Sequence, residues 1–181
     1  INSGRILNMG TNLLGGNPTS TSGTGTLQTA NTANPAIPTA ETWSFIVEYN
    51  GAAQTIEAGT YTAGVTASGS GDKTADAFTI NGVFTINAGR IVSMGTNLIS
   101  GNPTSTSGTG TLQTANTANP AIPTGETWSF IVEYNGAAQT IEAGTYTAGV
   151  TASGAGNKTA DAFTINGIFT INAGRIVSMG T

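Results

Sequence analysis

The residues best suited to chemistry in this sequence are two pairs of glutamates, each flanking an Asn-Gly dipeptide. Glu133 and Glu142 flank Asn135–Gly136, and Glu48 and Glu57 hold the same places in an earlier copy of the same sequence. An Asn-Gly hairpin turn would bring the two carboxylates of a pair face to face, as sugar hydrolysis requires. Like charges placed opposite each other repel, so the simpler interpretation is two solvated surface acids.

The sequence offers few other residues that could catalyse a reaction. The sequence contains no His and no Cys, which excludes a Ser/His/Asp triad, a Cys/His pair and a metal site built on imidazole or thiolate. A catalytic site copied almost unchanged in every repeat would also be unusual. We therefore expect neither an enzyme nor a bound cofactor.

Metal binding and crosslinking each have one weak candidate. Asp72 and Asp76 in "GSGDKTAD" offer two carboxylates, but the second copy has Asn157 in place of the first of them, and the calcium loop D-x-[DN]-x-[DN]-G is absent. We expect no metal. Lys73 and Lys158 stand near aspartates, as in isopeptide crosslinks, but their Gly, Thr and Ala neighbours do not predict a buried apolar pocket.

Composition favours an all-β fold. Charged residues make up 8% of the chain, and Gly (26) and Thr (33) are abundant; Gly, Thr and Asn are poor helix formers, whereas Thr, Val, Ile and Phe suit sheets. The net charge of -4, with five Lys and Arg, supplies no basic patch, so nucleic acid is not an expected partner. No apolar run reaches the roughly 18 residues of a membrane-spanning helix, so membrane insertion is not expected.

The sequence repeats itself with one dominant period, in which Ile1 aligns with Ile86 and Ile86 with Ile171. Residues 1–85 form the first unit, residues 86–170 the second, and residues 171–181 begin a third; nine of the 96 overlapping positions differ. "FTINGVFTINAGRIVSMGTN" crosses the boundary between units with no Pro-rich or Ser-rich linker. We expect a continuous solenoid that is a segment of a longer array.

Two all-β architectures fit such a unit. Strand-like runs of four to six residues alternate with short Gly, Asn or Pro breaks, which favours a parallel β-helix or β-solenoid of about four coils per unit. The alternative is a series of tandem immunoglobulin-like β-sandwiches, which the Asn-Gly hairpin candidates support.

The alternation of apolar and polar residues predicts which side chains face the core. The predicted core consists of Phe78, Ile80, Phe84, Ile86, Ile91, Met94, Leu98, Leu112, Trp128, Phe130, Val132, Tyr134, Ile141, Tyr146, Val150, Phe163 and Ile165.

Three phrases resemble a known class of repeats. They are "YNGAAQTIEAGTY" at 49–61, "SGSGDKT" at 68–74 and "TINGVFTINAG" at 79–89. Together they resemble the repeats of giant exported adhesins and hair-like surface filaments of Bacteroidota, which are sent out by the type IX pathway. The resemblance covers a little over half of each unit and implies a β-solenoid at the cell surface.

These features predict a structural role. We expect a repeat segment of an extracellular filament or adhesin shaft that provides length and stiffness. Its predicted partners are further copies of the repeat in one longer chain, lateral neighbours in a fibre or sheath, and surface glycans. The alternatives are a carbohydrate- or protein-binding β-sandwich repeat and, as a minor one, an ice-binding Thr-rich solenoid.

Overall fold

A computed structural model of the protein describes residues 1–180. Within these residues there is no helix, and hence no helix that could cross a membrane. Every strand pair is parallel, and the strands stack into a β-solenoid of about nine coils. The predicted solenoid is confirmed, and the β-sandwich alternative is wrong because none of the described strands forms an antiparallel hairpin.

Residues 1–180 form 23 short strands. In chain order they are β1 (Ile6–Asn8), β2 (Thr26–Thr29), β3 (Glu41–Trp43), β4 (Ile46–Tyr49), β5 (Gln54–Ile56), β6 (Gly59–Tyr61), β7 (Gly64–Ala67) and β8 (Lys73–Ala75). Next come β9 (Phe78–Ile80), β10 (Val83–Ile86), β11 (Ile91–Ser93), β12 (Ile99–Gly101), β13 (Ser105–Ser107), β14 (Thr111–Thr114), β15 (Glu126–Trp128) and β16 (Ile131–Tyr134). The last are β17 (Gln139–Ile141), β18 (Gly144–Tyr146), β19 (Gly149–Ala152), β20 (Lys158–Ala160), β21 (Thr164–Ile165), β22 (Ile168–Ile171) and β23 (Val177–Met179).

Each coil has three sides, which the chain visits in a constant order. Side I stacks β1, β2, β4, β7, β10 and β13, and then β15, β18 and β21. Side II contains β5, β8, β11, β14, β16, β19 and β22; side III contains β3, β6, β9 and β12, and then β17, β20 and β23. Where a coil lacks a strand, a loop takes the side: residues 30–37 lie against β5, and residues 115–122 lie against β17.

Alternation along each strand creates the core. In β4 the side chains of Val47 and Tyr49 point inward and are buried, whereas those of Ile46 and Glu48 are partly exposed. Parallel registry then places Val47 beside Val65 of the next coil, so like side chains stack on one another.

Glycine allows the coils to approach each other at the corners. A Cβ added to Gly82 would lie 2.1 Å from the carbonyl carbon of Ala63 in the adjacent coil. Only a residue without a side chain fits at that distance, so this Gly is required by the stacking itself.

The core runs through the boundary between the two units. Strand β10 crosses it, since Thr85 ends the first unit and Ile86 begins the second. The ring of Phe84 lies 5.9 Å from that of Phe78 in the same unit and 5.3 Å from that of Phe130 in the next. The units therefore share one hydrophobic core and are not separate domains.

One unit is slightly longer than the predicted four coils. The sequence "IVEY" forms β4 on side I in the first unit and β16 on side II in the second. Four complete coils and one further side separate these strands. One unit therefore spans thirteen sides, or four and a third coils.

Most of the predicted core side chains are buried, including Trp128, Phe130, Tyr134 and Tyr146. Leu98 is a wrong prediction: its side chain is 40% exposed, and its neighbour Ile99 occupies the core instead. Similarly, Ile91 is partly exposed while Val92 is buried.

Both errors have the same cause, because they concern consecutive apolar residues. Alternation shows that one of two such neighbours points inward without showing which one. Phe163 and Ile165 are partly buried because they lie in the last coil.

Candidate functional site: corner groups, side ladders and stacking faces

The paired glutamates do not face each other. Glu133 lies on the outer surface, where it accepts hydrogen bonds from Gln113 Nε2 at 2.8 Å and Ser153 Oγ at 2.6 Å. Glu142 is fully buried in the interior. Asn135–Gly136 is a corner between two sides of one coil, not a hairpin turn. The arrangement required for sugar hydrolysis is therefore missing, and the expected pair of solvated surface acids is wrong for Glu142.

The buried glutamate forms part of a polar corner that occurs in both units. In the first unit, Glu57 Oε1 accepts from the backbone N–H of Ala36 at 2.7 Å, and Oε2 has no protein partner. The Tyr49 and Tyr61 hydroxyls lie 2.9 Å apart; Tyr61 donates to the Glu57 carbonyl, and Tyr49 accepts from its N–H. Burial raises the pKa of the Glu57 carboxyl and of both phenols.

Lys73 and Lys158 are also buried, although their neighbours in the sequence do not predict a buried apolar pocket. Lys73 Nζ donates to the carbonyl oxygens of Gly51, Ala52 and Gly71 at 2.8–2.9 Å, and Lys158 is buried at the equivalent corner. Burial lowers the pKa of Lys73 to about 8. The ammonium uses all three of its donors on backbone carbonyls. Through these hydrogen bonds it joins neighbouring coils.

A sequence signal for this burial was present. In "KTA" at residues 73–75, the exposed Thr74 separates two inward positions, and alternation assigns one of these to Lys73. The flanking residue types, which do not predict a buried apolar pocket, were less informative than the alternation.

The candidate calcium ligands do not converge. Asp72 and Asp76 lie at opposite ends of strand β8, a separation of about 13 Å at the usual rise per residue. Asp72 Oδ1 instead accepts from the N–H of Ile91 at 2.9 Å. Nowhere in residues 1–180 do three His, Cys, Asp or Glu side chains group so that they could hold a metal ion.

Rows of hydroxyl groups run along the sides. Thr55 Oγ1 lies 3.0 Å from Thr74 Oγ1 on side II, and Thr79 Oγ1 lies 2.9 Å from Ser100 Oγ on side III. In β5, β8 and β9 a single outward side chain lies between two inward ones, so the rows are single at these strands. Along these rows no flat face with two Thr per coil forms, and the geometry does not favour ice binding.

A shallow groove of about 470 Å³ follows the row on side II, and Thr55, Thr74, Ser93 and Gln113 contribute to its lining. It can offer hydroxyl and amide groups to a ligand. Its lining includes no aromatic ring.

The two ends of the solenoid present core residues to solvent. Phe169 is 40% exposed and Ile171 is 45% exposed, whereas Phe84 and Ile86, at the same places in the first unit, are fully buried. The local sequences are nearly identical, so the difference comes from the coil that covers the first pair and not the second. We call these end surfaces, which no coil of residues 1–180 covers, the stacking faces.

No protein-family model matches the chain, and comparisons with curated proteins and with solved structures find no match.

Proposed function

We propose that this chain is a segment of the shaft of an extracellular surface filament or adhesin, in which stacked units provide length and stiffness. The observation that supports this most strongly is the shared core at the unit boundary, where Phe84 contacts Phe130. A rod with a continuous hydrophobic core resists bending better than domains that are joined by flexible linkers.

The stacking faces support the same proposal. The coil that buries Phe84 and Ile86 belongs to the following unit, so a further unit is the partner that fits Phe169 and Ile171. We propose further units of the same chain as the main partners, and lateral neighbours and surface glycans as additional ones.

Electron microscopy of arrays with two, four and eight units tests the proposal. Stacked coils about 4.8 Å apart predict smooth rods that lengthen by about 21 Å per unit. Beads joined by thin links, or a length that does not increase in proportion to the number of units, would overturn it.

The extracellular location needs a separate test. Antibodies against the repeat should label intact source cells, and external protease should remove that label. Labelling that requires permeabilised cells would refute the proposed location without affecting the rod.

A further inference from the structure

Equivalent strands of the two units lie on different sides of the solenoid. Strand β4 is on side I and its counterpart β16 is on side II. The same step moves β5 on side II to β17 on side III, and β6 on side III to β18 on side I. The second unit is thus turned by one side, about a third of a revolution, relative to the first.

This rotation follows from the length of the unit. A unit of thirteen sides cannot be divided into whole three-sided coils, so each unit starts one side further round. Three units, or thirteen coils, return a given residue to its original side. At about 4.8 Å per coil, consecutive copies of a residue are about 21 Å apart along the axis, and copies on the same side are about 62 Å apart.

The core tolerates this rotation because one column accepts strands from both units. On side II, β11 pairs with β8 of the first unit and with β14 of the second. On side III, β12 of the second unit pairs with β9 of the first, which places Ile99 beside Phe78, and both are buried. Apolar side chains alternating at the same period stack in register whichever unit they come from.

We infer that an array of these units displays every surface feature that occurs once per unit on its three sides in turn. This inference rests on the proposed shaft, since it requires the units to continue. Each such feature is then repeated in three directions around the shaft.

The loop at residues 115–125 is such a feature. Asn116 Nδ2 donates to the carbonyl of Thr96 at 2.8 Å, and in the first unit Asn31 Nδ2 donates to the carbonyl of Thr11 at the same distance. The loop is therefore held alike in both units, but on side II in the first and on side III in the second.

The rotation determines how large a partner can occupy every unit. A globular domain of about 200 residues is roughly 40 Å across. Such domains would collide if their attachment points were about 21 Å apart on one side, so only every second unit could be occupied. Distributed over three sides, with about 62 Å between copies on one side, they can bind to every unit.

A distance measurement on the existing chain tests the rotation. The sequence has no Cys, so T32C and T117C, both exposed and at equivalent loop positions, accept one spin label each. Labels directly above one another would be about 21 Å apart, whereas labels on two sides, each about 20 Å wide, should be roughly 30 Å apart. A main distance that matches the shorter of these two values would overturn the inference.

Occupancy on an array tests the display. Six-unit arrays with the Thr117 position replaced by Cys in every unit are coupled through a short linker to a globular domain of about 200 residues, and the attached domains are counted by mass. We expect six per array; three would contradict the three-sided display. If the arrays form no rods in the microscope, it is the proposed shaft that fails, whereas rods with three domains refute the rotation alone.

Discussion

Phe84 and Phe169 provide a matched test of what coil stacking contributes to stability. They occupy the same position in two nearly identical sequences, but Phe84 is covered by a following coil and Phe169 is not. Replacing each by Ala removes the same atoms from two environments that differ mainly in that cover.

The expected magnitudes differ by a factor of about two. Phe→Ala in a core typically costs about 3–5 kcal/mol, and Phe84 also makes edge contacts with two rings, each worth about 0.5–1.5 kcal/mol. Phe169 keeps 40% of its surface exposed and contacts one ring, Phe163. We expect F84A to cost about 4 kcal/mol and F169A about 2 kcal/mol or less.

Urea unfolding followed by circular dichroism measures the global loss, and amide hydrogen exchange locates it, because a repeat protein can fray at one end. F169A should increase exchange in the last coil only, whereas F84A should increase it on both sides of the unit boundary. Equal losses for the two variants would refute the argument that stacking buries the core. In a four-unit array, the variant at the 169 position should become as costly as F84A.

Three further outcomes test the corners. Burial raises the pKa of Glu57 above its ordinary 4.5, so the folded chain binds a proton at this carboxyl more readily than the unfolded chain does. The stabilisation from this proton is therefore fully present below pH 4.5, and it is lost as the pH rises through the raised pKa. E57Q should reduce that slope in urea titrations from about pH 4 to 8; an unchanged slope would contradict the burial of this carboxyl. K73M leaves three corner carbonyls without their donor and should lower the free energy of unfolding by about 2–4 kcal/mol, whereas a change below about 0.5 kcal/mol would show that the ammonium is dispensable. G82A should cost more than about 3 kcal/mol or prevent folding, because its Cβ meets the adjacent backbone; G15A, which meets nothing within 4 Å, is the control and should leave the urea midpoint unchanged.

On the three sides of the solenoid, sequence patterns predicted most of the buried side chains, but they did not predict which corner residues are buried. Alternation in "WSFIVEY" predicts Trp128, Phe130, Val132 and Tyr134 on one face, and all four are buried. At a corner the alternation is interrupted, and there Glu142 turned inward although its charge suggested a solvated position. Which corner residues enter the core depends on the backbone groups that the next coil brings to them.

The Asn-Gly dipeptide shows the same limit. Two residues of this type favour a hairpin when the strands beside them can pair with each other. Here each of those strands pairs instead with the coils above and below it. This pairing depends on side chains that lie one coil away along the chain. A dipeptide alone therefore cannot show whether its flanking strands pair with each other or with neighbouring coils.

The sequence by itself determined the repeat period, the absence of linkers, the all-β class and the alternating core, because these depend on neighbours in the chain and on a period of two. Tertiary structure decided how many sides a unit occupies. On side I, Thr26 pairs with Ile46, Ile46 with Gly64, and Val83 with Ser105, so the length of chain in one coil varies from coil to coil. Loops of different length accommodate these differences in coil length. The number of sides in a unit can therefore be counted only in the folded structure. The rotation of one unit against the next is therefore a property of the folded chain.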